Sequence, residues 1–372
     1  MQNLGRLLWG TMLSSVMVSS GMAEEETKRV VDRILEPPKV QAETGFTAKV
    51  LIPPGQLYDP LFMLPRENTV WLNDDGGEEE GKGSRLLAVD QTGNMSPVVG
   101  LGKILTMVGF DIAPPSFGEW AGQVFVLTQP KEAMPGALAN HLIQRLDPKN
   151  DYAATVVCTL PEAGPLKIAG FGADARFGPE GSPFAGKFYA VTILNNAIYQ
   201  VTPDGKCSPF IIFDGQQYSA PGVITFSPDG KSMLVSVSRG PFDIASTAEP
   251  TGAIVRVTPE GKVEDKPVFD GQGRPMGMGF APEGFGSYSG QLFFSEIGMF
   301  QIPVPMTQAL KADGKLYRIT PEGKPELVAS GFHNPMGVRF IDKKLWVTDI
   351  NGDFIAGKRE LPDGFLTEIQ TQ

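Results

Sequence analysis

Cysteine and histidine are scarce: the 372-residue chain has two of each. Two cysteines exclude a disulfide-built scaffold and a cysteine-rich metal module. Two histidines exclude a His-rich zinc or haem centre unless each one is used. Clustered basic charge is lacking too. Against 42 Asp+Glu stand 32 Lys+Arg, a net charge of −10, and such an acidic balance argues against a nucleic-acid surface. After residue 23 no apolar run approaches 18 residues, so no integral membrane segment is expected in the mature chain. Motifs that carry their own chemistry are missing: there is no Gly-x-Ser-x-Gly elbow, no His-Glu-x-x-His and no complete phosphate-binding loop ending in Gly-Lys-Ser/Thr. No long segment of 3.6-residue period follows residue 40, which excludes a parallel α/β barrel with its eight helices.

What is present is apolar and heavily punctuated. Hydrophobic residues make up 41% of the chain, enough for a sizeable core. Glycine (44) and proline (32) together supply 76 of 372 residues, about 20% against a usual share of roughly 12%. They are spread along the chain, as many short elements and turns require. Met1 to Ala23 has the form of a secretory signal. Arg6 is followed by a mostly apolar stretch from Leu7 to Val18, and Gly21 and Ala23 stand at the −3 and −1 cleavage positions. The expected location is therefore exported, periplasmic or secreted. Cleavage leaves 31 basic and 42 acidic residues, a net −11. Residues 24–45 read as a polar leader and 46–372 as a single domain.

That domain is a repeat. Three near-identical turns stand out: Thr202-Pro203-Asp204-Gly205-Lys206, Thr258-Pro259-Glu260-Gly261-Lys262 and Thr320-Pro321-Glu322-Gly323-Lys324. With weaker copies at Asp90 and Asp147 the spacings are 57, 55, 56 and 62 residues. A second marker, an aromatic or apolar strand, recurs six times: at Val70-Trp71-Leu72, Val124-Phe125-Val126, Phe188-Tyr189-Ala190, Met233-Leu234-Val235, Leu292-Phe293-Phe294 and Leu345-Trp346-Val347. Each unit holds four short strands of period 2 separated by turn residues. These features predict an all-β fold, a six-bladed β-propeller with four antiparallel strands per blade. The sixth blade lacks its outer strand before the chain ends, and the orphan strand Phe46 to Ile52 is expected to supply it, closing the ring.

In this fold the innermost strand of each blade lines a central channel. The Thr-Pro-x-Gly-Lys turns fall on one face, and their residues are those of ordinary β-turns. The opposite face carries the long, dissimilar loops Asp74 to Gly83, Gln129 to Ala139, Arg239 to Thr251, Glu296 to Gly314 and Asn351 to Asp363. Irregular loops on a regular scaffold point to a ligand-shaped rim, with Phe300 in an apolar lid or partner contact. Asp59, Asp111, Asp174 and Asn334 are expected at the starts of inner strands, converging on the channel mouth. Glu296 and Asp349 are expected at the same rim. Converging carboxylates repel unless a cation intervenes, and hard oxygen donors suit calcium; ordinary turn capping by Asp is the competing reading. His333, in the loop Gly331-Phe332-His333-Asn334-Pro335, is the candidate general base. His141 is a weaker candidate for the same rim. Cys158 and Cys207 are expected on opposite faces of neighbouring blades, too far apart to form a disulfide.

The blade pattern resembles the six-bladed propellers of the senescence-marker/gluconolactonase, paraoxonase-like and NHL-repeat group, and also the quinone-dependent sugar dehydrogenases. The residues that carry this are Pro221 to Asp229 with Leu234 to Ser236, and Gly331 to Val338 with Leu345-Trp346-Val347-Thr348-Asp349. For the lactonase-like families the resemblance implies calcium at the channel mouth, held from positions comparable to Asp59, Asp111, Asp174 and Asn334. The Asn-Gly-containing ligand segments of those families are not recognisable here, and neither is the basic quinone cradle. Three functions are carried forward. The first is a metal-dependent hydrolase of lactones or esters. The second is a non-catalytic propeller binding a protein or glycan, and the third a quinone-dependent oxidoreductase.

Overall fold

In the computed structural model the alternating segments pair into six antiparallel sheets. The structure describes residues 38–75, 83–104, 107–128, 141–164, 172–241, 251–297, 314–350 and 362–372. From the channel outward, blade 1 is Pro60–Arg66, Thr69–Asp75, Ser84–Asp90 and Met95–Ile104, and blade 2 is Met107–Ile112, Val124–Thr128, Leu142–Asp147 and Ala153–Thr159. Blade 3 is Gly172–Phe177, Phe188–Thr192, Ala197–Val201 and Cys207–Ile212. Blade 4 is Ile224–Phe226, Met233–Arg239, Thr251–Val257 and Phe269–Gln272, with Tyr218–Ser219 also paired to its second strand. Blade 5 is Arg274–Phe280, Leu292–Ile297, Gly314–Ile319 and Pro325–Phe332. Blade 6 is Pro335–Ile341, Lys344–Asp349 and Gly364–Thr371, completed by Phe46–Leu57. The expected six-bladed propeller is therefore the fold, and the ring closes as expected, with Phe46 opposite Thr371 and Ala48 opposite Ile369.

The leader does not end outside the fold. Gln41–Ala42 pairs with Ser330 and Ala329 on the outer strand of blade 5, covering an edge that would otherwise expose unpaired backbone groups. In the far-face turns Gly205, Gly261 and Gly323 have φ of 80°, 77° and 77°, and each glycine amide donates to its turn threonine's carbonyl.

The second strands of blades 2, 3 and 5 bury their whole length, because each sheet face packs on a neighbouring blade. Their aromatic residue points at the next blade: Phe125 lies 5.2 Å from Phe177, and Phe293 5.3 Å from Phe340. Inner strands approach even more closely. A Cβ on Gly109 would lie 2.1 Å from the Ala175 amide nitrogen, and one on Gly337 2.4 Å from the Leu61 carbonyl oxygen, so only glycine fits there.

One expectation is overturned. Cys158 and Cys207 form a disulfide, with Cα atoms 6.4 Å apart. Strands in a blade twist progressively, so the outer strand of blade 2 is swung across the turn of blade 3. A Cβ on Gly205 of that turn would lie 3.8 Å from Val157. The ends of the two outer strands, on opposite faces in a flat diagram, are neighbours in the twisted sheet.

Candidate functional site

The face opposite the Thr-Pro-x-Gly-Lys turns gathers buried charge where blades 5, 6 and 1 meet. Each of these blades has, at the last or next-to-last position of its second strand, an acid opposite a proline of its inner strand: Pro60 faces Asp74, Pro275 faces Glu296 and Pro335 faces Asp349. All three acids are buried. Asp349 accepts from the backbone N–H of His333 through Oδ2 (2.7 Å) and of Asn334 through Oδ1 (2.9 Å). Asp74 accepts from the Tyr58 amide (2.9 Å) and from Arg85 Nε (2.8 Å). Burial pushes the Asp74 carboxyl up, and Arg85 and the amides oppose it. Glu296 packs beneath Gly273, whose φ is 87° and where a Cβ would meet the Glu296 carboxyl carbon at 2.1 Å. Arg274 is buried at the same mouth and donates through Nη2 to the Ala220 carbonyl (2.9 Å), joining the entry loops of blades 4 and 5. Burial pulls its guanidinium down to about 10, so it stays charged at neutral pH.

Deeper in the channel the inner strands have a free edge, whose N–H and C=O groups need partners. Charged side chains provide several of them. Asp111 accepts from its neighbour Ile112 (2.8 Å) and, across the blade boundary, from Phe177 (2.9 Å). Asp174 accepts from Ala175 (2.9 Å) and from Ile224 of blade 4 (3.2 Å), and is ion-paired to Arg176 Nε at 2.9 Å. Arg176 and Arg339 donate to the carbonyls of Ile224 (3.0 Å) and Met278 (2.7 Å). Acids thus satisfy edge amides, and arginines satisfy edge carbonyls. Desolvation pushes the Asp111 carboxyl up to about 6, although the Phe177 amide and Arg176 oppose it.

The residues singled out from the sequence therefore separate. Asp59, Glu296, His333, Asn334 and Asp349 lie at the mouth. Asp111 is the fifth residue of its inner strand and Asp174 the third of its own, not strand starts, because each inner strand begins earlier than its glycine suggests or bulges near its start. Phe300 and most of the long rim loops lie outside the described residues. His141 accepts from the Gly172 amide through Nε2 at 3.0 Å and joins blade 2 to blade 3. The His333 ring meets Phe365 edge-on, with centroids 6.3 Å apart. Among the described residues no group of three or more His, Cys, Asp or Glu is arranged to hold a metal ion. Sequence reasoning missed Asp74 and Arg274. The recurring cross-strand proline–acid pair was the available signal for Asp74, and Arg274 had none.

Comparisons with known proteins add the fold but not a family: no protein-family model and no curated protein matches the chain. Among solved structures it is similar to a glucose dehydrogenase, at 17% identity and TM-score 0.55, covering 88% of this chain and 100% of that one. It is also similar to a gluconolactonase from Xanthomonas campestris, at 12% identity and TM-score 0.51, covering 91% and 95%. An auxiliary nutrient binding protein from Bacteroides thetaiotaomicron matches at 11% identity and TM-score 0.52, covering 88% and 76%. The six-bladed propeller is the shared feature.

Proposed function

We propose that the protein is an exported hydrolase of lactones or related esters, acting at the mouth formed by blades 5, 6 and 1. The observation that carries this reading is the buried set Asp74, Glu296, Asp349 and Arg274 beneath the entry loops. By holding loop backbone groups, Asp74 sets the position of the segment carrying Asp59, and Asp349 those of His333 and Asn334, as a preorganised site requires. His333 is the mouth residue whose imidazole serves as the general base that takes a proton from water, and Asp59 is the second candidate base. The gluconolactonase among the fold neighbours is support by analogy only. The Cys158–Cys207 bridge supports export, because disulfides persist in oxidising compartments.

A single calcium site built from Asp59, Asp111, Asp174 and Asn334 fits poorly. Asp111 and Asp174 direct both oxygens at inner-strand amides deep in the channel. A fall in melting temperature on chelation, restored by calcium, would show that the chain binds a cation all the same.

A non-catalytic binding propeller is the second reading. It is favoured by the number of acids engaged in holding backbone rather than presented to a ligand. A lactone and ester panel on the mature chain separates the two. Hydrolysis that falls about 10²-fold or more in His333→Ala, with an unchanged melting curve, supports the hydrolase. Saturable binding without turnover would sink it in favour of the second reading.

A further inference from the structure

On the face of the Thr-Pro-x-Gly-Lys turns, three of the wedges between blades are sealed by a repeated cluster of three rings. One ring comes from the loop after the inner strand, one from the second strand and one from the next blade's inner strand. Between blades 2 and 3 these are Phe117, Phe125 and Phe177, with centroids 4.6 Å and 5.2 Å from Phe177. Between blades 3 and 4 they are Phe184, Tyr189 and Phe226, at 5.2 Å and 6.0 Å from Phe226. Between blades 5 and 6 they are Phe285, Phe293 and Phe340, at 4.9 Å and 5.3 Å from Phe340.

The wedge between blades 4 and 5 keeps only one of the three rings. Phe280 is present, but the second-strand ring is replaced by Leu234. The loop is reduced to a tight turn in which the Gly230 amide donates to the Ser227 carbonyl, and it carries no ring. Where two rings are missing there is a cavity of about 470 Å3, floored by Leu234, Val268, Phe280, Leu292 and Ile319, within the size range of small-molecule sites.

Arg256 lines this cavity, directly across the strand pair from Leu234. Its counterparts in blades 2 and 5 show what a guanidinium takes up at this position. Arg145 lies over the Trp120 ring at 5.6 Å and donates to Gln123 Oε1 at 2.6 Å. Arg318 lies over the Tyr288 ring at 4.7 Å and donates to Gln291 Oε1. Blade 4 has Ser232 where those blades have the glutamine, and its short turn has no ring. Arg256 is half-buried, with neither a stacked ring nor a side-chain hydrogen-bond partner among the described residues. Asp229 on the rim is exposed, and its carboxylate is engaged by Ser227 Oγ and the Lys231 amide.

We propose that this wedge binds a small aromatic carboxylate, whose ring fills the place of the missing phenylalanines and whose carboxylate pairs with Arg256. Guanidinium groups both stack on rings and bind carboxylates bidentately, so one flat ligand supplies both missing partners. The site is separate from the channel mouth and does not depend on the hydrolase reading.

The test is a titration of the mature chain with benzoate, acetate and cyclohexanecarboxylate, followed by ligand-observed NMR. Saturable benzoate binding, at least tenfold tighter than acetate, is expected. Arg256→Met and Leu234→Phe should each weaken it tenfold or more. Leu234→Phe restores the ring found in blade 5 and should melt no lower than the wild type, so it remains informative even if Arg256→Met folds poorly. No saturable benzoate binding to the wild type would overturn the proposal. So would equal affinity for acetate, or benzoate affinity unchanged by Leu234→Phe.

Discussion

Between blades 2 and 3 and between blades 3 and 4 the inner strands are joined by carboxylates. Asp111 reaches the Phe177 amide and Asp174 reaches the Ile224 amide. Around the other half of the ring the same gap is closed from the second strand by neutral groups. Ser295 accepts from Gly277 and donates to the Pro335 carbonyl, and Thr348 accepts from Gly337 and donates to Leu61. Asn73 accepts from Phe62 and donates to Met107. Where the aspartates act, the corresponding second-strand positions are the apolar Leu127 and Val191. A propeller can therefore tie one blade to the next with either device. They differ in cost, because a buried carboxylate must be desolvated and can take up a proton, whereas a hydroxyl or amide does neither.

The charged half should be the more fragile. Asp174→Ala leaves the Arg176 guanidinium without its ion-pair partner, and the Ala175 and Ile224 amides without acceptors. A loss of about 3–5 kcal/mol in urea unfolding is expected, and a loss below about 1 kcal/mol would show that the joint is held elsewhere. The same half carries the disulfide. Replacing Cys158 and Cys207 together by serine should lower stability by about 2–4 kcal/mol, and reductant should do the same to the wild type but not to the variant. On the neutral side Ser295→Ala and Thr348→Val should each cost about 1 kcal/mol, equally at acidic and neutral pH.

Asp111 sharpens the contrast through pH. Its folded carboxyl is pushed up to about 6 from the ordinary 3.8. Between those values the folded state holds more protons than the unfolded chain, so this group's contribution to stability falls as pH rises from about 4 to about 6 and is level above that. Asp111→Asn should flatten that part of the profile. An unchanged slope would mean that other groups set it.

The fold was legible because its signals are local. Turn residues at spacings of 55 to 62 and six aromatic second strands are enough to count blades, and an outer strand missing at one end and spare at the other implies the closure seen between Phe46–Leu57 and Gly364–Thr371. Half of the candidate site was legible for a similar reason. Asp59, His333, Asn334 and Asp349 lie at strand junctions, where the turn residues mark the mouth. Asp111 and Asp174 were not, since their partners are amides 66 and 50 residues away, and a carboxylate that caps a neighbouring strand looks in sequence like one that waits for a cation. The disulfide was not legible, because strand order alone does not carry the twist that brings the two strand ends together.

By itself the sequence determined the number of blades, the order of their strands and the ring's closure, because alternation and turn chemistry act within a few residues of the backbone. Only the tertiary structure decided that Cys158 meets Cys207, that inner-strand aspartates serve the next blade's amides, and that Leu234 leaves a cavity beside Arg256. Those contacts depend on how twisted sheets stack face to face, and no local pattern encodes that distance.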